Sequence, residues 1–179
     1  TERSPMIDIR EATLAGPTPR PGPPPLSPVA AQRNRFRWVE YSVSASLMIV
    51  LVAGITGISD VAALVALFGV NASMILFGWL METTSRPGPG AVWTPFIFGS
   101  LAGAVPWIAI FIYLAGAGSS VPRFVYGIFV SIFVLFNCFA GNQWLQYRAR
   151  GAWHDYLHGE RVYIVLSFVA KTLLAWQIF

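Results

Sequence analysis

The sequence predicts an all-α membrane protein, a bundle of five transmembrane helices, on three observations. Hydrophobic residues make up 55% of the 179 and charged residues only 11%, where a soluble domain carries about 25% charged. Apolar runs close to the roughly 20 residues that cross a bilayer recur along the chain. The connections between them are short, which forces neighbouring helices to run antiparallel.

Taken in order, residues 1–32 form a region of their own. Eight of the thirteen prolines fall here (Pro5, Pro17, Pro19, Pro21, Pro23, Pro24, Pro25 and Pro28), so neither helix nor sheet can propagate and an extended or disordered tail is expected. It has no apolar core followed by a small-residue cleavage site, so it does not read as a signal peptide. Residues 33–179 hold the bundle. The first span runs from about Trp38 to Ile58, ended by the turn Gly57-Ile58-Ser59-Asp60, and the second from about Val61 to Met81. The third runs from about Val92 to Ala115 and contains Pro95 and Pro106, each expected to interrupt a backbone hydrogen bond. The fourth runs from about Val121 to Tyr147 and the fifth from about Glu160 to Phe179. Cys138, the single cysteine, lies in an apolar stretch with no partner for a disulfide and reads as a small packing residue.

Arginine placement sets the orientation. Arg33, Arg35, Arg37, Arg86, Arg148, Arg150 and Arg161 fall at one end of the spans, against Arg123 and Asp60 at the other. The positive-inside rule places the first group in the cytoplasm, with the N-terminal side inside and the C-terminus outside a cell membrane. The net charge of +4 is therefore a topology signal, and no basic-aromatic surface supports nucleic-acid binding.

Lys171 is the only lysine in the chain, beside eleven arginines, and it lies in the middle of the fifth span. An amine at the centre of a transmembrane helix costs about 2.5 to 3.5 kcal/mol on insertion scales, so it needs a partner, a wet cavity or a covalent modification. An amine can also lose its proton and form an imine with an aldehyde, which a guanidinium cannot do. Four acids lie near the spans. Asp60 falls in a turn, and Glu82 and Glu160 fall at helix ends where a carboxylate is expected to stay wet. Glu40, at the start of an apolar helix with Ser44 and Met48 on its face, is the candidate partner for Lys171, and pairing with Arg37 is its alternative. The two depths differ by roughly 12 Å at 1.5 Å per residue, a gap that closes if the first helix and the fifth both begin outside the apolar layer. Ser167 stands one turn before Lys171, where its hydroxyl can reach the amine or bond back to its own helix.

Two smaller signals have bland readings. His154 and His158, with Asp155 and Glu160 near, have a zinc-compatible spacing but read better as solvated interfacial groups, and no metal is assigned. Gly99 and Gly103 form a small-xxx-small pair suited either to a contact within the bundle or to a dimer seam.

Four blocks carry a resemblance: Arg37-Trp38-Val39-Glu40-Tyr41-Ser42; Asn71 through Trp79; Phe136-Asn137-Cys138-Phe139-Ala140 through Tyr147; and Gly159-Glu160-Arg161-Val162-Tyr163 through Ser167, Lys171 and Gln177. In this order they resemble heliorhodopsins, from about Arg33 to Phe179. The resemblance implies that the five spans correspond to helices three to seven of a seven-helix rhodopsin-like bundle. Nothing resembling the first two helices is present, so a truncated chain is expected. It further implies a non-pumping photoreceptor, not an enzyme, in which Lys171 carries all-trans retinal as a protonated Schiff base. Glu40 would be the counterion and Ser167 its hydrogen-bonding neighbour, with Met48, Asn71, Trp107, Phe136 and Gln146 lining or flanking the pocket. Partners implied are the lipid bilayer, a homodimeric copy and a downstream signalling protein. The residues agree on pumping: the outer half of the first span, Leu47 to Ile58, has no ionisable side chain for a proton relay. Two other classes stand against this reading, a non-photoactive assembly subunit and a transporter, each using Lys171 as an intramembrane ion-pair site.

Overall fold

A computed structural model describes residues 34–117 and 121–178; the proline-rich tail, residues 1–32, lies outside the described residues. Among the described residues five α-helices follow one another: α1 (Arg35–Ile55), α2 (Val61–Thr84), α3 (Thr94–Ala117), α4 (Arg123–Arg148) and α5 (Tyr156–Ile178), with a 3-10 turn (Gly151–His154) before the last. All five are long and apolar enough to cross a membrane, and no strand occurs among the described residues. This is the expected all-helical membrane fold.

Local chemistry sets the helix ends. Asn34 caps α1, its side chain accepting from the Arg37 amide, and Asp60 caps α2 by accepting from the Ala63 amide at 2.7 Å. Between these helices Gly57 takes φ +105°, a backbone region that favours glycine. Pro95 occupies the first turn of α3, where its missing N–H would have no helical acceptor; Pro106 alone is interior to that helix. The fifth helix begins at Tyr156 rather than near Glu160. The polar stretch ahead of Glu160 is tied down: Trp153 Nε1 donates to Asn142 Oδ1 at 2.7 Å and Asn142 Nδ2 donates to the Gly159 carbonyl at 3.1 Å. Hydropathy could not see this extension, because hydrogen bonds rather than apolar residues support it.

Packing divides the bundle into two blocks. α1 lies along α2 and α2 along α3, while α4 lies along α5; α4 meets α1 and α3 at fewer points. Gly99 and Gly103 belong to the first block: a Cβ added at Gly99 would come 3.1 Å from Phe77 Cβ, and one at Gly103 would press on the Met74 side chain. The small-residue pair therefore serves a helix contact inside the bundle. A core of Met48, Ile49, Val52, Ala53, Ile58, Leu67, Trp107, Ile110, Ile128, Ile132, Ala170 and Leu174 closes the end near Asp60. Cys138 is exposed on α4, not a packing residue as its apolar neighbourhood suggested.

Candidate functional site: an amine and a carboxylate beside an apolar cavity

All five helices contribute to one cavity, partly open to the surroundings. α1 supplies Trp38, Tyr41, Ser44, Ala45 and Met48; α2 supplies Met74, Ile75 and Gly78; α3 supplies Pro95, Phe96, Gly99 and Ser100. From α4 come Phe136, Phe139, Ala140 and Gln143, and from α5 come Tyr163, Ser167, Ala170 and Lys171. The wall is mostly aromatic and apolar, with a few polar groups, as expected of a site for an elongated hydrophobic ligand. Lys171 is its one amine.

Lys171 Nζ donates to Glu40 Oε1 at 2.5 Å. The same nitrogen lies 5.8 Å from the centre of the Tyr41 ring. Tyr41 is held in turn, its hydroxyl donating to the Tyr163 carbonyl at 3.0 Å and its ring lying edge-on to Phe139 at 5.7 Å. Ser167, one turn before Lys171, faces the Tyr41 hydroxyl. The Lys171–Glu40 contact forms across the depth difference inferred from sequence. Arg37 is not the partner of Glu40.

Arg37 is engaged elsewhere, in a buried cluster that sequence reasoning missed. It contacts Glu160 through Nη1 and Glu82 through Nη2 at 3.4 Å, and its guanidinium lies over the Trp38 and Tyr163 rings at 4.6 and 4.4 Å. Glu82 also accepts from the Asn34 amide at 2.8 Å, from Trp38 Nε1 and from the Tyr156 hydroxyl at 3.4 Å. Asn34 Nδ2 donates to Glu160 at 3.1 Å. The expectation that Glu82 and Glu160 stay wet is therefore overturned: Glu82 is 5% exposed and the Glu160 side chain 12%. The signal was available in principle, since antiparallel α1 and α2 bring the start of one beside the end of the other.

Four of the residues expected at the pocket, Met48, Phe136, Ser167 and Lys171, line the cavity. Trp107 sits one layer out, edge-on to Phe136 at 5.4 Å and to Phe133 at 5.2 Å. Asn71 is fully buried and donates to Ser46 Oγ at 3.1 Å between α1 and α2, and Gln146 packs on Gly159 at the junction of α4 and α5. Tyr41, Tyr163, Phe139 and Gln143 were not singled out as site residues from sequence; aromatic and amide side chains in a bundle do not announce which face they occupy. The two histidines join no group of three potential metal ligands among the described residues; His158 packs edge-on to Trp153 at 5.1 Å.

A cavity shared by five spanning helices thus has a paired lysine in its wall. The heliorhodopsin family model matches residues 27–179. The chain belongs to the heliorhodopsin family. No curated protein matches it. Family membership makes it a retinal-binding, rhodopsin-like, multi-pass membrane protein. The match spans all five helices that wall the cavity, the lysine helix included.

Proposed function

We propose that this heliorhodopsin is a light sensor that does not pump ions, with all-trans retinal joined to Lys171 as a protonated Schiff base and Glu40 as its counterion. The observation that carries the reading is the 2.5 Å contact between Lys171 and Glu40 beside a cavity lined mostly by apolar and aromatic side chains from all five helices. The residues fit the group on a second ground. Met48, Met74, Phe96, Phe136 and Phe139 make most of the wall apolar, as the hydrocarbon part of such a group requires.

When bound, retinal supplies photoisomerisation about its polyene. The rest is work for the chain. Glu40 stabilises positive charge on the Lys171 nitrogen, Tyr41 presents its ring to that nitrogen, and Ser167 offers a hydroxyl one turn away. Phe136, Phe139, Met48 and Met74 would confine the hydrocarbon portion and exclude water. A change of geometry at the Lys171 nitrogen alters its distance from Glu40, and so shifts charge between α5 and α1. The end of the bundle near Asp60 carries only Asp60 and Arg123 as charged groups among the described residues, so no string of carboxylates leads away from Glu40 toward that side, which favours sensing over transport. The arginine-rich end would face the cytoplasm.

The assembly-subunit reading needs Lys171 to seek an acid on a foreign helix. Here its charge is already matched within the chain. The discriminating experiment adds all-trans retinal to the membrane-reconstituted protein and follows visible absorption before and after hydroxylamine. A visible band that hydroxylamine destroys, and that Lys171→Ala abolishes, is expected. A band that survives Lys171→Ala would remove the Schiff-base assignment.

A further inference from the structure

α1 and α5 do not form a close-packed helix pair; side chains bridge them instead. Along α5 the bridges come in order: Glu160 to Arg37 and Asn34, the Tyr163 carbonyl to the Tyr41 hydroxyl, and Lys171 to Glu40. Each crosses from the α1–α2–α3 block to the α4–α5 block. The two ionic bridges are also chained together within α1, because Arg37 and Glu40 are three residues apart and so lie on one side of that helix. Apolar helix contacts resist sliding through many interlocked side chains. Besides the ring contacts of Trp38 and Tyr41 with Tyr163 and the shared apolar core, this seam carries a few polar bridges, whose positions are discrete and set by which donors meet which acceptors.

We propose that Arg37, with Glu82 and Glu160, is the positioning device that sets the register of α5 against α1 and hence the placement of Lys171 relative to Glu40. The spectral part of this rests on the retinal reading above; the mechanical part does not. The cluster is built for the task. Arg37 is planar and forked, so it engages carboxylates from two different helices at once. One guanidinium faces two carboxylates, and the excess negative charge is offset by neutral donors from Asn34, Trp38 and Tyr156. Glu82 fixes Arg37 to the first block, and Glu160 is the hold on the second. Weakening the Glu160 contact frees the start of α5, while the α4–α5 packing keeps the second block itself intact.

The test places nitroxide labels on cysteines at Phe36 and Leu157, both exposed, in a background with Cys138→Ala, and measures their separation in lipid nanodiscs with and without all-trans retinal. Glu160→Gln is expected to lengthen or broaden the distance distribution by at least about 1 to 2 Å, the scale of helix shifts at interfaces. In the pigmented protein it is also expected to move the visible band although Glu160 does not line the cavity. Glu82→Gln serves as the second variant should Glu160→Gln fail to assemble, with the same expected direction. Unchanged distances in both variants overturn the proposal, as does a lengthened distance with an unmoved band in a coloured protein. A lengthened distance in a protein that never colours sustains the seam and removes the retinal reading.

Discussion

At the arginine-rich end, Arg37 and Glu160 meet with side chains 6% and 12% exposed, whereas one turn further along α1 Glu40 meets Lys171 with the two side chains 48% and 40% exposed. Both are carboxylate–cation contacts across the same two helices. Their surroundings are opposite. Arg37 is enclosed by two carboxylates and two aromatic faces, so removing any member leaves a buried charge without its counterpart. Glu40 has one hydrogen-bonding partner among the described residues and faces outward from the two-block core. The first contact is suited to holding helices in place; the second, to changing its charge state without pulling the fold apart.

The sharpest way to break this comparison is to delete the enclosed cation. Arg37→Ala is expected to destabilise the protein by about 3 to 5 kcal/mol, the range for removing one partner of a buried ion pair, measured by denaturant titration in mixed micelles. A loss below about 1 kcal/mol, the typical worth of an exposed pair, would place the cluster in the same class as Glu40–Lys171 and erase the distinction.

Removal of the counterion probes the other member. Glu40→Gln takes away a negative charge beside the proposed Schiff base, so the protonated form loses electrostatic support and gives up its proton more readily. Stabilisation of the charged nitrogen by Glu40 is thus present wherever the carboxylate is ionised, and its loss extends the colourless form toward neutral pH. Absorption of the form that remains protonated is expected to move to longer wavelength. Spectra recorded across an alkaline titration check both outcomes, and an unchanged titration and maximum would assign the counterion role to another group.

This contrast also explains what could be read without coordinates. The five spans, their antiparallel order, and Lys171 as the centre of interest followed from hydropathy and from the cost of an amine in hydrocarbon. Glu40 was legible because it is the one acid inside an apolar helix start. The buried triad was not, because Glu82 and Glu160 sit at helix ends where local sequence reads as interface; only the approach of three helix termini buries them. Tyr41 and Tyr163 escaped for a related reason: their roles come from a side-chain-to-backbone bond across helices 122 residues apart in sequence, which no periodicity encodes. The start of α5 was misjudged because hydrogen bonds from Asn142, not apolar residues, support its first turn.

A final and smaller effect tests whether the enclosed cluster is as rigid as its contacts imply. A Cβ at Gly78 would fall against the six-membered part of the Trp38 ring, and that indole cannot swing aside without giving up its bond to Glu82. At Gly103 the added Cβ would meet only Met74, an unbranched side chain able to take another rotamer. Gly78→Ala is therefore expected to cost about 1 to 3 kcal/mol, as overpacking of an unyielding site does, and Gly103→Ala distinctly less. Equal losses for the two would mean that Trp38 relaxes as freely as a methionine, in which case the indole is filler and Glu82 is held by Arg37, Asn34 and Tyr156 alone.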